Sequence, residues 1–328
     1  MPDMFEIGTV KCEPGTLSVG YIESAYRQDG MRVMIPLIVL HGLETGPVLW
    51  IGSTMHGNEI PGCEVIRRLA RERLDPRRIR GTVVAAPVQN PVAYLDSSRL
   101  ILHDGTDINR VFPGDPGGTL TQRIAHDLYH GGVARANVVL DLHSNAPGAV
   151  NFTIVRVGGS GKAWDAQLEL AEAFGLTISL RRVGQLGLSG LLQDVALEAG
   201  KPALTVELSG GFLWEEPSVS AGVTGVLNVM RSLKMIDGLK EPQTELAVIP
   251  DRLTSQELLK CDRGGLIHPL KPIGAKVRRG EPVVRIYDVF GNVQETISSP
   301  IDGWILTYPI TKNWTAVSGD TVAFVFGT

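Results

Sequence analysis

The sequence predicts an α/β protein that ends in an all-β appendage, and three observations lead there. Over roughly the first 235 residues, apolar β-prone runs alternate with stretches of helical periodicity, the pattern of a parallel or mixed sheet flanked by helices. From about residue 246 the helical pattern stops, and short β-prone runs separated by Gly/Pro turns take over. Three of the early runs end in STMHGNE, VVLDLHS and LTVELSGG, each setting a His or Glu where a strand gives way to a loop. In open α/β sheets the chemistry gathers at such carboxyl ends. We therefore expect one domain over 1–245 and a small β barrel or sandwich over 246–328.

Each element has its own justification. TLSVGYIES and MRVMIPLIVLHG read as strands, and PVLWIGSTMHGNE as a buried strand running into a functional loop. PGCEVIRRLARERL carries Val65, Ile66 and Leu69 on one side and a basic outer face, so it reads as an amphipathic helix. GTVVAAPVQNP is a buried strand, and LTQRIAHDLYHGG a helix stopped by Gly131-Gly132. ANVVLDLHSN is a strand, WDAQLELAEAFG a helix closed by Gly175, LLQDVALEAG a helix and KPALTVELSGG a strand. Beyond residue 246, EPVVRIYDV, QETISSP, DGWILTY and TVAFVFG read as strands.

Composition narrows the function classes. At 328 residues the chain buries roughly three-quarters of its unfolded surface and needs no covalent staple. With 43% hydrophobic residues, 20% charged residues and a formal net charge of −4, it offers no basic surface for nucleic acid or an anionic membrane. No apolar run approaches the ~18 residues of a membrane span. Cys12, Cys63 and Cys261 are odd in number and widely spaced, which fits no disulfide framework and suits a reducing compartment. The opening MPDMFEIGTV lacks the pattern of a signal peptide. The expectation is a cytoplasmic protein without nucleic-acid or membrane partners.

The chemistry is carried by a constellation. His56 and Glu59, three residues apart on a strand-to-helix turn, can reach one metal ion, and a catalytic zinc takes three protein ligands of this kind plus water. Alone, HxxE is a weak pattern and more often a polar turn with a surface Glu. His143 supplies a third ligand from a neighbouring strand end, with Asp141 on the same side to orient it, although an isolated DLH would more often be a core histidine. Glu207 interrupts an apolar strand just before a glycine pair, where an acid is costly to bury unless it faces a cation. Beside an activated water it would take and return a proton. Asn109 and Arg110, in the loop SSRLILHDGTDINRVFPGDP, suit a substrate carboxylate, and Arg99 suits a developing oxyanion. For any single arginine the plain alternative is a solvated surface charge.

In that order, HGNE, DINRVFPG, DLHS and VELSGG resemble the succinylglutamate desuccinylase/aspartoacylase family, itself related to the zinc carboxypeptidases, over residues 35–235. The resemblance implies a zinc carboxypeptidase-like mixed sheet and a zinc ion held by His56, Glu59 and His143. It implies Glu207 as general acid/base, Asn109 with Arg110 as a carboxylate clamp, and Arg99 beside the scissile carbonyl. The implied substrate is a small N-acylated amino acid. The family's substrate-selecting residues find no clean counterpart, and Arg156, Arg181 and Arg182 stay open as candidates. The C-terminal part resembles a lipoyl- or biotinyl-type fold whose central hairpin carries Val289-Phe290-Gly291 and no modifiable Lys. It would either narrow the way into the site or make homo-oligomer contacts.

Rival motifs are weaker. His126-Asp-Leu-Tyr-His130 mimics HExxH, but Asp127 replaces the Glu and the helix stops at once, so an amphipathic helix end is the better reading. GGSGKA at 158–163 lacks the first Gly and the Ser/Thr of a P-loop, and GLSG at 187–190 falls short of a nucleophile elbow. Cys63 reads as a small packed hydrophobe. Two other activities stay in view: a carboxypeptidase-like peptidase with the same zinc, and a metal-binding regulator without catalysis.

Overall fold

A computed structural model of the protein describes residues 2–308 and 314–328. A two-stranded ladder, β1 (Phe5–Ile7) and β2 (Val10–Cys12), precedes the main sheet. That sheet is built from β3 (Thr16–Tyr26), β4 (Arg32–His41), β5 (Glu44–Ser53), β6 (Arg80–Ala86), β7 (Val138–Ser144), β8 (Phe152–Val157), β9 (Thr177–Arg182) and β10 (Ala203–Leu208). Its order is β3-β4-β6-β5-β7-β10-β8-β9. The central β6, β5, β7 and β10 run parallel, β3 and β4 pair antiparallel with their neighbours, and β8 is antiparallel to β10 and parallel to β9. The sheet is mixed, as the alternation of runs predicts.

Alternation along the central strands builds two cores, because successive side chains point to opposite faces. Leu49, Ile51, Val83, Ala85, Leu140 and Leu204 meet helices α1 (Pro61–Arg68), α4 (Lys162–Phe174) and α6 (Glu216–Ser232) on one face. Trp50, Val84, Ala86 and Val139 meet α2 (Pro91–Leu95), α3 (Leu120–Gly131) and α5 (Leu192–Glu198) on the other. Among the main-sheet strands and their helices, β8, β9, α2 and α6 go beyond the runs singled out in the sequence. In α6, Gly222, Gly225 and several valines weaken the helical signal. Its packing explains them: a Cβ at Gly225 would lie 2.1 Å from the Phe174 ring.

The C-terminal part is all antiparallel. Strands β11 (Ser255–Lys260), β12 (Gly265–Pro269), β13 (Lys276–Val277), β14 (Pro282–Tyr287), β15 (Val293–Ser298), β16 (Gly303–Thr307), β17 (Thr315–Ala316) and β18 (Thr321–Gly327) form two four-stranded sheets, β11-β18-β16-β13 and β15-β14-β12-β17. Leu259, Ile305 and Val325 from one sheet pack with Ile267, Val284 and Ile286 from the other. Of the two forms expected, this is the sandwich; among the described residues the two sheets do not close into a barrel. A further cluster joins the two parts of the chain: Phe152 and Ile154 of β8 pack with Ile249, Leu253, Leu306 and Phe326. No helix among the described residues is long and apolar enough to cross a membrane.

Candidate metal centre and active site

The turn after β5 is built for close approach. Thr54 takes φ +51°, an uncommon conformation for a β-branched residue, and its hydroxyl donates to the Glu59 carbonyl at 3.1 Å. Gly57 passes against the backbone of α2, where a Cβ would lie 2.0 Å from Ala93. The chain thereby turns His56 and Glu59 back towards the end of β7. There they meet His143, and ligand atoms of the three lie within 4.8 Å of one another.

The hydrogen bonds assign the imidazoles. His56 Nε2 lies 3.1 Å from Asp107 Oδ1, and His143 Nε2 lies 2.8 Å from Asp141 Oδ2. A carboxylate only accepts, so both Nε2 atoms donate outward, and both Nδ1 atoms face inward, where each could donate to Glu59 or, deprotonated, ligate an ion. The Nδ1 atoms stand 3.3 Å apart, with Glu59 oxygens 2.7 Å from His56 Nδ1 and 2.9 Å from His143 Nδ1. Arg99 Nη1, which can only donate, lies 3.3 Å from His56 Nδ1 and donates to Glu59 Oε1 at the same distance. Two imidazole nitrogens and a carboxylate facing one another form a nitrogen/oxygen donor set that fits a zinc-type ion. Burial opposes charge on His143, yet Asp141 and Glu59 outweigh it and push its pKa well above the usual imidazole range. Burial likewise works against charge on Glu59, but His56 and His143 hold its carboxyl well below the ordinary value.

Around this centre the outer partners are themselves held. Asp141 accepts from Gln89 Nε2 at 2.8 Å. Asp107 accepts from the Asn109 amide at 2.9 Å and from Arg99 Nη2 at 3.1 Å. Burial alone would raise the Asp107 pKa; the bond to His56 and the charges of His56, Arg99 and Arg110 reverse that and hold it low. Sequence reasoning missed Asp107, although it opens the quoted DINR segment.

The remaining predicted residues line one polar cavity of about 200 Å3 with the metal-type cluster. Glu207 is the register partner of His143 on the neighbouring strand. Burial pushes its carboxyl above the ordinary range, with Glu59 adding to the effect and His143 opposing it. Asn109 is buried and partly committed: its Oδ1 accepts from the Leu192 amide at 2.8 Å, leaving Nδ2 towards the cluster. Arg110 donates to the Asn109 carbonyl at 2.7 Å and stands 3.8 Å from Asp107. A larger groove of about 560 Å3, bounded by Tyr26, Arg27, Leu95 and His103, gathers no comparable set of groups. His126 and His130 lie together on α3, their rings 4.5 Å apart, but belong to no metal-type cluster among the described residues.

Of the three open arginines, Arg156 is locked in a buried bidentate pair with Asp194 at 2.6 and 2.9 Å. Arg182 is exposed. Arg181 lines the cavity.

A mixed sheet with a His–Glu–His centre at its strand ends and an acid beside it is the frame of a hydrolase-type site. Residues 45–233 match the succinylglutamate desuccinylase/aspartoacylase catalytic domain, and the chain belongs to that family. A relative from Halomonas elongata, an N-alpha-acetyl-L-2,4-diaminobutyric acid deacetylase, is 29% identical over 289 residues, which cover 86% of this chain and 83% of the relative. The crystal structure of a succinylglutamate desuccinylase/aspartoacylase from Rhodobacter sphaeroides superposes with a TM-score of 0.83 at 28% identity, covering 95% of each chain. The product-bound ectoine utilization protein EutE (DoeB) from Ruegeria pomeroyi shares the fold over 100% of both chains, with a TM-score of 0.87 and 23% identity.

Proposed function

We propose that the protein is a zinc-dependent deacylase that hydrolyses the amide bond of a small N-acylated amino acid. The observation that carries this reading is the meeting, in one cavity, of three inward-facing metal-type ligands, a half-buried acid with a raised pKa, and the guanidinium groups of Arg99 and Arg110. His56, Glu59 and His143 would hold the ion. When bound, zinc supplies Lewis acidity and makes water a nucleophile at neutral pH. Glu207 takes the proton from the attacking water and returns it to the departing amine, a task its raised pKa suits. Arg99 faces the negative charge that develops on the carbonyl oxygen, and Arg110 with Asn109 Nδ2 takes the amino-acid carboxylate. The N-acetylated amino-acid substrate named for the Halomonas elongata relative supports the same class.

The cavity's size favours a small molecule over a peptide chain: about 200 Å3 lies below the roughly 300–1,000 Å3 of drug-sized pockets. The test pairs two variants. His143→Ala should lose zinc. Glu207→Gln should keep zinc, measured by metal analysis, while kcat for amine release from a panel of N-acyl amino acids falls at least about 100-fold. Near-normal turnover by Glu207→Gln would overturn the mechanism.

A further inference from the structure

Asp141 is only 2% exposed and has two carboxylate oxygens to satisfy. Oδ2 faces His143 Nε2 at 2.8 Å, and Oδ1 accepts from Gln89 Nε2 at the same distance. Gln89 is fully buried, and its own Oε1 accepts from the buried Trp50 Nε1 at 3.4 Å. An indole N–H only donates and a carboxylate only accepts, so a single orientation of the Gln89 amide serves both. The result is a buried chain, Trp50–Gln89–Asp141–His143, that ends on one member of the metal-type cluster. Gln89 and Trp50 take no part in lining the cavity.

Gly52 makes the room for this chain. It is the register partner of Asp141, and it shares a face of β5 with Trp50 two residues earlier. The Gln89 amide fills the place of the missing side chain: a Cβ at Gly52 would lie 2.3 Å from Gln89 Oε1 and 2.6 Å from Nε2. The main chain is fixed alongside, because the Gln89 amide N–H donates to the Ser53 carbonyl at 2.9 Å. A buried carboxylate with one oxygen unpaired is costly. Held by His143 alone, it could also turn about its terminal bond and carry the imidazole with it. The amide at 89, admitted by the glycine at 52, removes that freedom.

We propose that Gln89 is a positioning residue for the metal ligand His143, acting through Asp141, and that Gly52 is the glycine that admits it. This rests on the metal-binding part of the reading above. The set acts on how firmly the ion is held and leaves the choice of substrate to the cavity.

Two single variants of the full chain and their double are compared with the wild type by zinc titration against a competing chelator. Gln89→Met keeps the volume and loses both hydrogen bonds. It should weaken zinc by about 3- to 10-fold, short of the roughly 10- to 100-fold of a ligand's direct partner. Gly52→Ala leaves residue 89 unchanged but displaces its amide, and should cost the same. The double variant should cost no more than either single one, since both break the same bond. Additive losses would show the two residues acting separately through packing and overturn the proposal, as would unchanged affinity in Gln89→Met. Either single variant decides alone if the other does not fold. Imidazole NMR of the metal-free chain gives a second readout. The His143 Nε2–H signal, identified by its loss in His143→Ala, should exchange with water at least about 5-fold faster in Gln89→Met. If the wild type binds no zinc, the metal reading fails and this exchange rate decides: faster exchange in the variant supports the positioning role, and an equal rate, or no such signal in the wild type, overturns it.

Discussion

Between Asp107 and His56 lie 51 positions of sequence and 3.1 Å of space. The HGNE and DLHS motifs are legible in the sequence because ligand types, short spacing and strand ends coincide there. Asp141 is legible too, since it shares a strand face with His143 two residues on. Asp107 is not, because nothing in DINR says which distant imidazole it will orient. Its Asx-type contact with the Asn109 amide was the local clue, and it reads as an ordinary turn. Partners of a ligating histidine that fix its ring typically matter 10- to 100-fold in metal affinity. We expect Asp107→Asn to weaken zinc by about that factor in a chelator-competition titration. Undiminished affinity would mean that His56 is oriented by its packing instead.

At the scale of elements, the loop between α2 and α3 has to present Arg99, Asn109 and Arg110 together. Asp104 ties that loop down: its carboxylate accepts from the Thr121 amide at 3.0 Å, the Thr121 hydroxyl at 2.6 Å and the Thr106 amide at 3.2 Å. Partial burial would raise its pKa, but these bonds outweigh it and hold the carboxyl below its ordinary value. A depressed carboxylate stabilises the fold above its unfolded pKa, near 3.9, and loses that contribution as pH falls through the lower folded value. Asp104→Ala should therefore cost about 1 kcal/mol at neutral pH. In urea melts the gap from wild type should narrow once pH drops below about 4; a gap independent of pH would contradict the assignment. Helix α3 and the central strands were readable from periodicity. Strand β9 was not, since its run ends in Arg181 and Arg182, and charged residues at a strand end look like solvated surface.

For the whole molecule, the alternation of strands and helices followed by β-only sequence was enough to place the main sheet and the all-β part. What it could not reveal is how the two meet. Apolar residues such as Ile249, Leu306 and Phe326 look like ordinary core, and only the fold shows that they pack on Phe152 and Ile154 beside the cavity. Backbone bonds cross the same seam, from Val150 N to Leu306 O at 2.9 Å and from Leu180 N to Leu253 O at 2.7 Å. A boundary near residue 245 is thus a proposal about sequence order. Mechanically, the C-terminal sandwich is braced against the wall that carries Arg181.

A metal ion held by His56, Glu59 and His143 would have a consequence for the protein's persistence. A ligand that binds the folded chain and not the unfolded one adds RT ln(1 + [L]/Kd), about 2.7 kcal/mol when free metal is 100 times its dissociation constant. Thermal melts should therefore rise by several degrees with zinc and fall with a strong chelator, and coincident melts would count against these three residues as ligands. The cluster would then act as a supply sensor. Were free metal to run short, the chain would open more often and proteases would reach it sooner, so the amount of protein would follow the metal supply.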